Sequence, residues 1–160
     1  MSSTESDKLV TFRLGDDHFA ADIFSVERVL RYSVPTSVPD MPAYIEGVLD
    51  YQGRVVPIVN LRRRFEMAVV AARNETRTLV LNVSGEWIGV VVDGVTEVAS
   101  FDRAAVAPPP PLFRGLAGEY LKGIIRRGDR LVIFLDVDKL LSSTERLTLQ
   151  QAGAEALAHG

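Results

Sequence analysis

Shifted by 76 residues, part of this chain lands on itself. Tyr44-Ile45-Glu46-Gly47-Val48 falls on Tyr120-Leu121-Lys122-Gly123-Ile124. Arg54-Val55-Val56-Pro57-Ile58-Val59-Asn60-Leu61 then falls on Arg130-Leu131-Val132-Ile133-Phe134-Leu135-Asp136-Val137. The aromatic, glycine and Asn/Asp positions keep one register across a turn, which a chance run of apolar residues does not. A repeat constrains a fold more than any single motif. It predicts two similar small β modules with a groove between them.

The 160 residues suffice for one globular unit or two very small ones sharing a core. A chain of this size buries roughly 68–70% of its unfolded surface, so neither metal nor disulfide is needed to hold it. It has no cysteine, which removes thiol catalysis, thiolate metal sites and disulfide frameworks together. The polar start MSSTESDK is unlike a secretory signal, and no stretch reaches the roughly 20 apolar residues of a membrane span. A net charge of −3 argues against a nucleic-acid surface. These features predict a cytoplasmic protein.

Residues 1–8 read as a disordered polar tail. Leu9–Leu14 and His18–Asp22 flank Gly15-Asp16-Asp17 as a hairpin, and Ile23 to Tyr32 reads as a short turn followed by a strand. Val34 to Pro42 holds three prolines and predicts an extended connection. Strands 46–51 and 54–59 join across Gln52-Gly53, and Asn60 is placed to cap a short helix over Leu61–Phe65. After a loop from Met67 to Arg77 the order recurs. A hairpin turns at Ser84-Gly85, Val95–Val98 answers Val26–Val29, a Pro108–Pro111 run follows, and a hairpin turns at Gly128-Asp129. Asp136 should cap another short helix, and Ser142-Ser-Thr-Glu145 fits a capping box for a last one. Ten or so short strands with few helices predict an all-β fold of paired barrels or a sandwich.

Catalytic chemistry is not evident. His18 and His159 belong to no ligand-spaced cluster, no glycine loop opens a helix to cradle phosphate, and Asp16-Asp17 and Asp136/Asp138 lack an accompanying base or nucleophile. Arg62-Arg63-Arg64 reads as a solvated helix face or a contact for an acidic partner. No metal or cofactor is expected. Gly47 and its counterpart Gly123 interrupt apolar strands, as at a bulge or where another chain approaches closely. Pro57 predicts a free strand edge or a bulge, with Val55, Val56 and Ile58 open to a partner.

The run Val34-Pro-Thr-x-Val-Pro-x-Met-Pro-x-Tyr-Ile-Glu-Gly-Val48, continuing through Gly53-Arg-Val-Val-Pro-Ile-Val-Asn-Leu-Arg62, resembles the CheW family of bacterial chemotaxis coupling proteins. So do Val91-Val-Asp-Gly-Val-Thr-Glu-Val98 and Glu119-Tyr-Leu-Lys-Gly123. The resemblance covers residues 9–141. It implies two SH3-like five-stranded β-barrels sharing a core, the first mainly 15–66 and the second mainly 76–141, with residues 142–160 as a C-terminal helix and tail. It implies no enzymatic activity. Its members bridge the cytoplasmic tip of a methyl-accepting chemoreceptor and the regulatory domain of the CheA-type histidine kinase, at membrane receptor arrays.

Carried over by position, the resemblance places Ile23, Val26, Arg28, Val29, Gly47, Gln52 and Val98 at the receptor groove. It places Val34, Pro35, Thr36, Arg54, Val55, Val56 and Leu112 against the kinase. Family members commonly carry an acidic residue where this chain has Arg28, and Asn-Leu-Arg-Gly where it has Asp50-Tyr51-Gln52-Gly53. Arg28 should then face Gln52 and find an acceptor in Glu27 or Asp50. That departure leaves open a scaffold of a divergent system that binds receptor without kinase coupling. A ligand-binding barrel with a polar pocket is the rival from another class. On this reading Gly47→Asp weakens receptor binding with the fold intact.

Overall fold

A computed structural model describes residues 7–113 and 115–159. Residues 1–6 of the expected tail lie outside them. Residues 7 and 8 do not belong to it: Asp7 is buried and ion-paired to Arg103 at 3.0 Å, and Lys8 opens the first strand. The strands are β1 (Lys8–Leu14), β2 (Asp17–Asp22), β3 (Val26–Arg31), β4 (Ile45–Tyr51), β5 (Arg54–Asn60), β6 (Arg77–Val83), β7 (Glu86–Val92), β8 (Gly94–Ser100), β9 (Leu112–Phe113), β10 (Leu116–Ala117), β11 (Leu121–Arg127) and β12 (Arg130–Leu135). Helix α1 (Leu61–Arg64) follows β5, and α2 (Ser143–His159) closes the chain.

Two five-stranded sheets carry the fold, ordered β3-β6-β7-β5-β4 and β8-β1-β2-β12-β11, and β9 with β10 forms a small third one. The orders match strand for strand, down to one parallel pair in each sheet: Ile58↔Gly89 in the first, Ile133↔Phe19 in the second. The 76-residue shift holds in fine detail. Bulges fall at Ile45/Gly47 and Leu121/Gly123, and Asn60 N–H and Asp136 N–H each donate at 2.8 Å to the carbonyls of Tyr44 and Tyr120.

The division of the chain differs from the expected 15–66 and 76–141. β2 belongs with β8, β11 and β12, whereas β6 and β7 belong with β3 to β5. The cause is burial on both faces. β6 and β7 are almost continuously apolar and buried, so each must lie inside a sheet, and the places open to them flank β3 and β5. The hairpin β1–β2 fills the equivalent place in the other sheet.

Pro57 does not mark a free edge, since β5 lies between β7 and β4. Its partner Val48 turns its N–H and C=O toward Thr36, with both bonds at 2.9 Å, so Pro57 and Val48 form a non-hydrogen-bonded pair. The missing N–H would face β7, where pairing begins only at Ile58. The tight turns run as expected, with Gln52-Gly53 at φ 52° and 76° and Ser84-Gly85 at φ 53° and 85°. Asn60 Oδ1 caps α1 by accepting from Arg63 N–H at 3.1 Å, but the Asp136 side chain makes no such bond. Ser142 and Glu145 form the reciprocal capping box, at 2.7 and 3.0 Å.

A large apolar cluster joins the two sheets. Phe12, Phe19, Phe65 and Tyr120 run through it as successive ring contacts at 5.8, 6.0 and 5.3 Å. Each sheet also closes over a smaller cluster of its own, around Val56, Ile58, Val80 and Trp87 in one and Leu9, Ile125, Val132 and Phe134 in the other. Each fully buried side chain of this size contributes about 2 kcal/mol.

Candidate interaction surfaces

Strands β3 and β8 are the matching outer strands of the two sheets, and each carries apolar side chains that no other element among the described residues covers. Val29 is 41% exposed on β3 and Val98 56% on β8. Arg28 is also exposed, and Val26 and Ile23 are half-buried at the base of the same strand. Next to Ile23, Phe24 is 74% exposed, a residue absent from the expected groove. Its turn is held fast: Phe24 N–H donates to Asp22 Oδ1 at 2.9 Å, and Arg103 reaches Asp22 at 3.4 Å.

Gly47 is a different matter. It is buried at φ 149°, and a Cβ there would lie 2.8 Å from the Thr36 carbonyl carbon and closer still to its oxygen. The close approach inferred from the glycine is real, but the visitor is the chain's own proline-rich connection. Gly123 is occupied in the same way by the carbonyl of Ala107. Gln52 is exposed at the β4–β5 turn, where its amide donates to Tyr51 Oη at 3.2 Å. Arg28 forms no side-chain hydrogen bond or ion pair among the described residues, so the expected partners Glu27, Asp50 and Gln52 do not receive it.

Of the second group, Val34 is 83% exposed, Leu112 is 65% exposed on β9, and Thr36 is at the surface. Arg54 sits over the Trp87 ring at 3.9 Å and donates to the Gly85 carbonyl at 2.7 Å. Pro35 and Val56 are buried and present no surface. Val56 belongs to the private cluster of its sheet, where it packs with Ile58, Val80 and Trp87 on the face of β5 opposite Val55. Val55, half-buried, lies beneath α2 and accepts from Gln150 Nε2 at 2.9 Å.

The arginine run has partners inside the chain. Arg62 binds Asp93 with two bonds, at 2.5 and 3.2 Å, and Gly15 N–H donates to the same carboxylate at 2.6 Å. Burial pushes the Asp93 carboxyl up, yet Arg62 and the Gly15 amide outweigh it and hold the group below its ordinary range. Arg64 sits over the Tyr44 ring at 4.2 Å and meets Glu145 of α2 at 3.5 Å. Only Arg63 is a free surface cation of the kind the sequence suggested. Tyr32 donates to Glu46 at 2.6 Å, and burial with that carboxylate pushes its hydroxyl up to about 12.

A cavity of about 310 Å³ opens beside the Arg62–Asp93 pair, lined also by Arg13, Asp16, Arg73 and Glu75. It is the polar pocket a ligand-binding rival needs, but Arg62 and Asp93 are occupied by each other and the remaining charges balance. No group of three or more His, Asp or Glu side chains is placed to hold a metal among the described residues. No helix of these is long and apolar enough to cross a membrane.

Paired sheets with exposed apolar side chains on their outer strands define a binding scaffold. Residues 8–145 match the model of the CheW-like domain, and the chain belongs to that family. It is 36% identical over 142 residues to the chemotaxis protein CheW of Klebsiella aerogenes, covering 89% of this chain and 86% of that one. It is 32% identical over 145 residues to the protein of the same name in Treponema pallidum, covering 88% and 85%. The crystal structure of the scaffolding protein TtCheW from Thermoanaerobacter tengcongensis superposes with a TM-score of 0.82 at 27% identity, covering 90% and 94%. This is a family of scaffold and adaptor proteins of chemotaxis, not of enzymes.

Proposed function

We propose that this chain is a non-enzymatic adaptor of bacterial chemosensory signalling that couples the cytoplasmic tip of a chemoreceptor to the regulatory domain of a CheA-type histidine kinase. It works in the cytoplasm and is recruited to membrane receptor arrays. Each five-stranded sheet is read as an SH3-like barrel. In support, the outermost strands of each sheet reach one another: Tyr32, just past β3, bonds Glu46 of β4, and Arg127 of β11 donates to Ser100 of β8 at 3.2 Å.

The observation that carries the reading is that five of the eight large apolar side chains left in solvent among the described residues, Phe24, Val29, Val34, Val98 and Leu112, fall at or beside the expected partner-binding positions. Exposed apolar groups held on a well-packed framework suit partner binding. Ile23, Val26, Val29 and Val98 would seat a receptor helix by its apolar stripe. Gly47, expected at the receptor groove, instead supports the kinase-facing surface from within, by letting the Val34–Thr36 segment lie against β4. Val34, Thr36, Arg54 and Leu112 are the kinase-facing residues that reach the surface.

Titration with a receptor-tip fragment and with the kinase regulatory domain tests the assignment. Val29→Asp and Val98→Asp should each weaken receptor binding by about tenfold or more, because a carboxylate must be desolvated in an apolar contact, and leave kinase binding unchanged. Equal loss toward both partners, or none, would remove the receptor surface from these strands. The burial of Val56 and the cover over Val55 favour a second reading, a scaffold that binds receptor without the kinase. Absence of kinase binding under conditions where receptor binds would select it.

A further inference from the structure

Helix α2 lies across the hairpin that the kinase reading needs. Its attachment is uneven along its length. The first turns are tied by the capping box, by Tyr44 and Arg64 on Glu145, and by Arg146 on Glu86 at 2.6 Å. Leu149 is buried, and Gln150 bonds the Val55 carbonyl. Beyond that, contact depends on the absence of a side chain: a Cβ at Gly153 would lie 2.7 Å from Val48 and 2.8 Å from Val55. An open groove of about 350 Å³ lies between the second half of α2 and the 38–44 connection, lined by Val38, Pro39, Ala152 and Ala156. A helix end bordered by an open groove makes few dispersion contacts on that side.

The surface beneath is apolar and continuous with exposed surface. Val48 is fully buried, and on its other side it is bridged to Thr36, two residues from the 83% exposed Val34. Lifting the second half of α2 would bare Val48 and Val55 beside Val34.

We propose that the second half of α2 is a displaceable cover on the β4–β5 face, and that the kinase regulatory domain binds the face it uncovers. The proposal rests on the adaptor reading and adds its regulation: the covered form does not bind the kinase, and apparent affinity falls with the fraction of molecules that are open. The receptor surface, on β3 and β8, lies elsewhere and is untouched.

Gly153→Leu in the full chain is the direct test. Leucine raises helix propensity, so α2 is strengthened as a helix while its seat on Val48 and Val55 is blocked. Binding to the kinase regulatory domain should tighten by about tenfold, the gain expected if roughly one molecule in ten is open before the change. Receptor-fragment affinity should stay the same. Gln150→Ala, which deletes a single bond and leaves Gly153 in place, should tighten kinase binding by about threefold and guards against misfolding of the first variant. In the unmodified protein, hydrogen exchange over residues 148–158 should speed up when the kinase domain is added. Unchanged or weaker kinase binding by both variants, or greater protection of α2 in the complex, overturns the cover. Failure of every form to bind the kinase while receptor still binds overturns the coupling reading itself.

Discussion

Replacing Gly47 by alanine should unfold this protein more readily, not blunt one interface. The added methyl group falls inside contact distance of the Thr36 carbonyl, which is backbone and cannot swing aside. Relief requires moving the Val34–Thr36 segment, breaking the two 2.9 Å bonds between Thr36 and Val48 at about 1 kcal/mol each. A side chain at φ 149° adds strain of about 1–3 kcal/mol. The sum, about 3–5 kcal/mol, is a large part of the 5–15 kcal/mol that holds a typical domain. It should lower the melting temperature by roughly 10 °C. Trp87, the single tryptophan and only 8% exposed, reports the transition by fluorescence in urea. Gly53→Ala is the control, since it has a positive φ of 76° but open space around the new Cβ, and should cost about 1 kcal/mol. If Gly47→Ala costs no more than Gly53→Ala, the close approach of Thr36 does not govern this position. The same argument replaces the expectation that Gly47→Asp spares the fold, because the carboxylate meets the chain before it meets a receptor.

The Asp93 carboxyl sits below its ordinary range in the folded state, so its contribution is complete above the usual aspartate pKa and is lost as pH falls toward the depressed folded value. Asp93→Asn should cost about 2–3 kcal/mol at neutral pH and flatten the acid limb below about pH 4 in denaturation curves. Tyr32 has the opposite sign: its raised pKa means full stabilisation below about pH 10, lost as pH rises toward about 12. Tyr32→Phe should cost about 1 kcal/mol and remove one late-titrating phenol from the ultraviolet titration.

What the sequence made legible was local. Gln52-Gly53 and Ser84-Gly85 announce their turns, Asn60 and Ser142/Glu145 their caps, and Gly47 and Gly123 their bulges, because each depends on a few adjacent residues. The sheet that a hairpin joins is not a local property. Nothing within residues 77–92 says that β7 will run parallel to β5, so the division at residue 76 put β6 and β7 in the wrong half. Burial was misjudged for the same reason. Pro35 and Val56 match an interface motif in sequence, but they are covered by segments distant along the chain. Arg62 looked solvated until the fold brought Asp93 and Gly15 to it.

The exchanged hairpins also bear on why such a chain suits an adaptor. The chain passes from one sheet to the other twice, through the three residues Ile23–Ser25 and through Asp93 alone, which separates β7 from β8. That single residue carries the carboxylate holding Arg62 of α1 and Gly15 of the β1–β2 turn, so the crossing point is bonded to both sheets. Two modules joined by a flexible linker would move independently by default. Here the short crossings and the shared aromatic core leave no such freedom, and β3 and β8 keep a fixed separation from the β4–β5 face. A rigid body of this kind transmits the position of one partner to another without absorbing the motion itself. On the proposed reading, the one part free to move is the weakly seated end of α2.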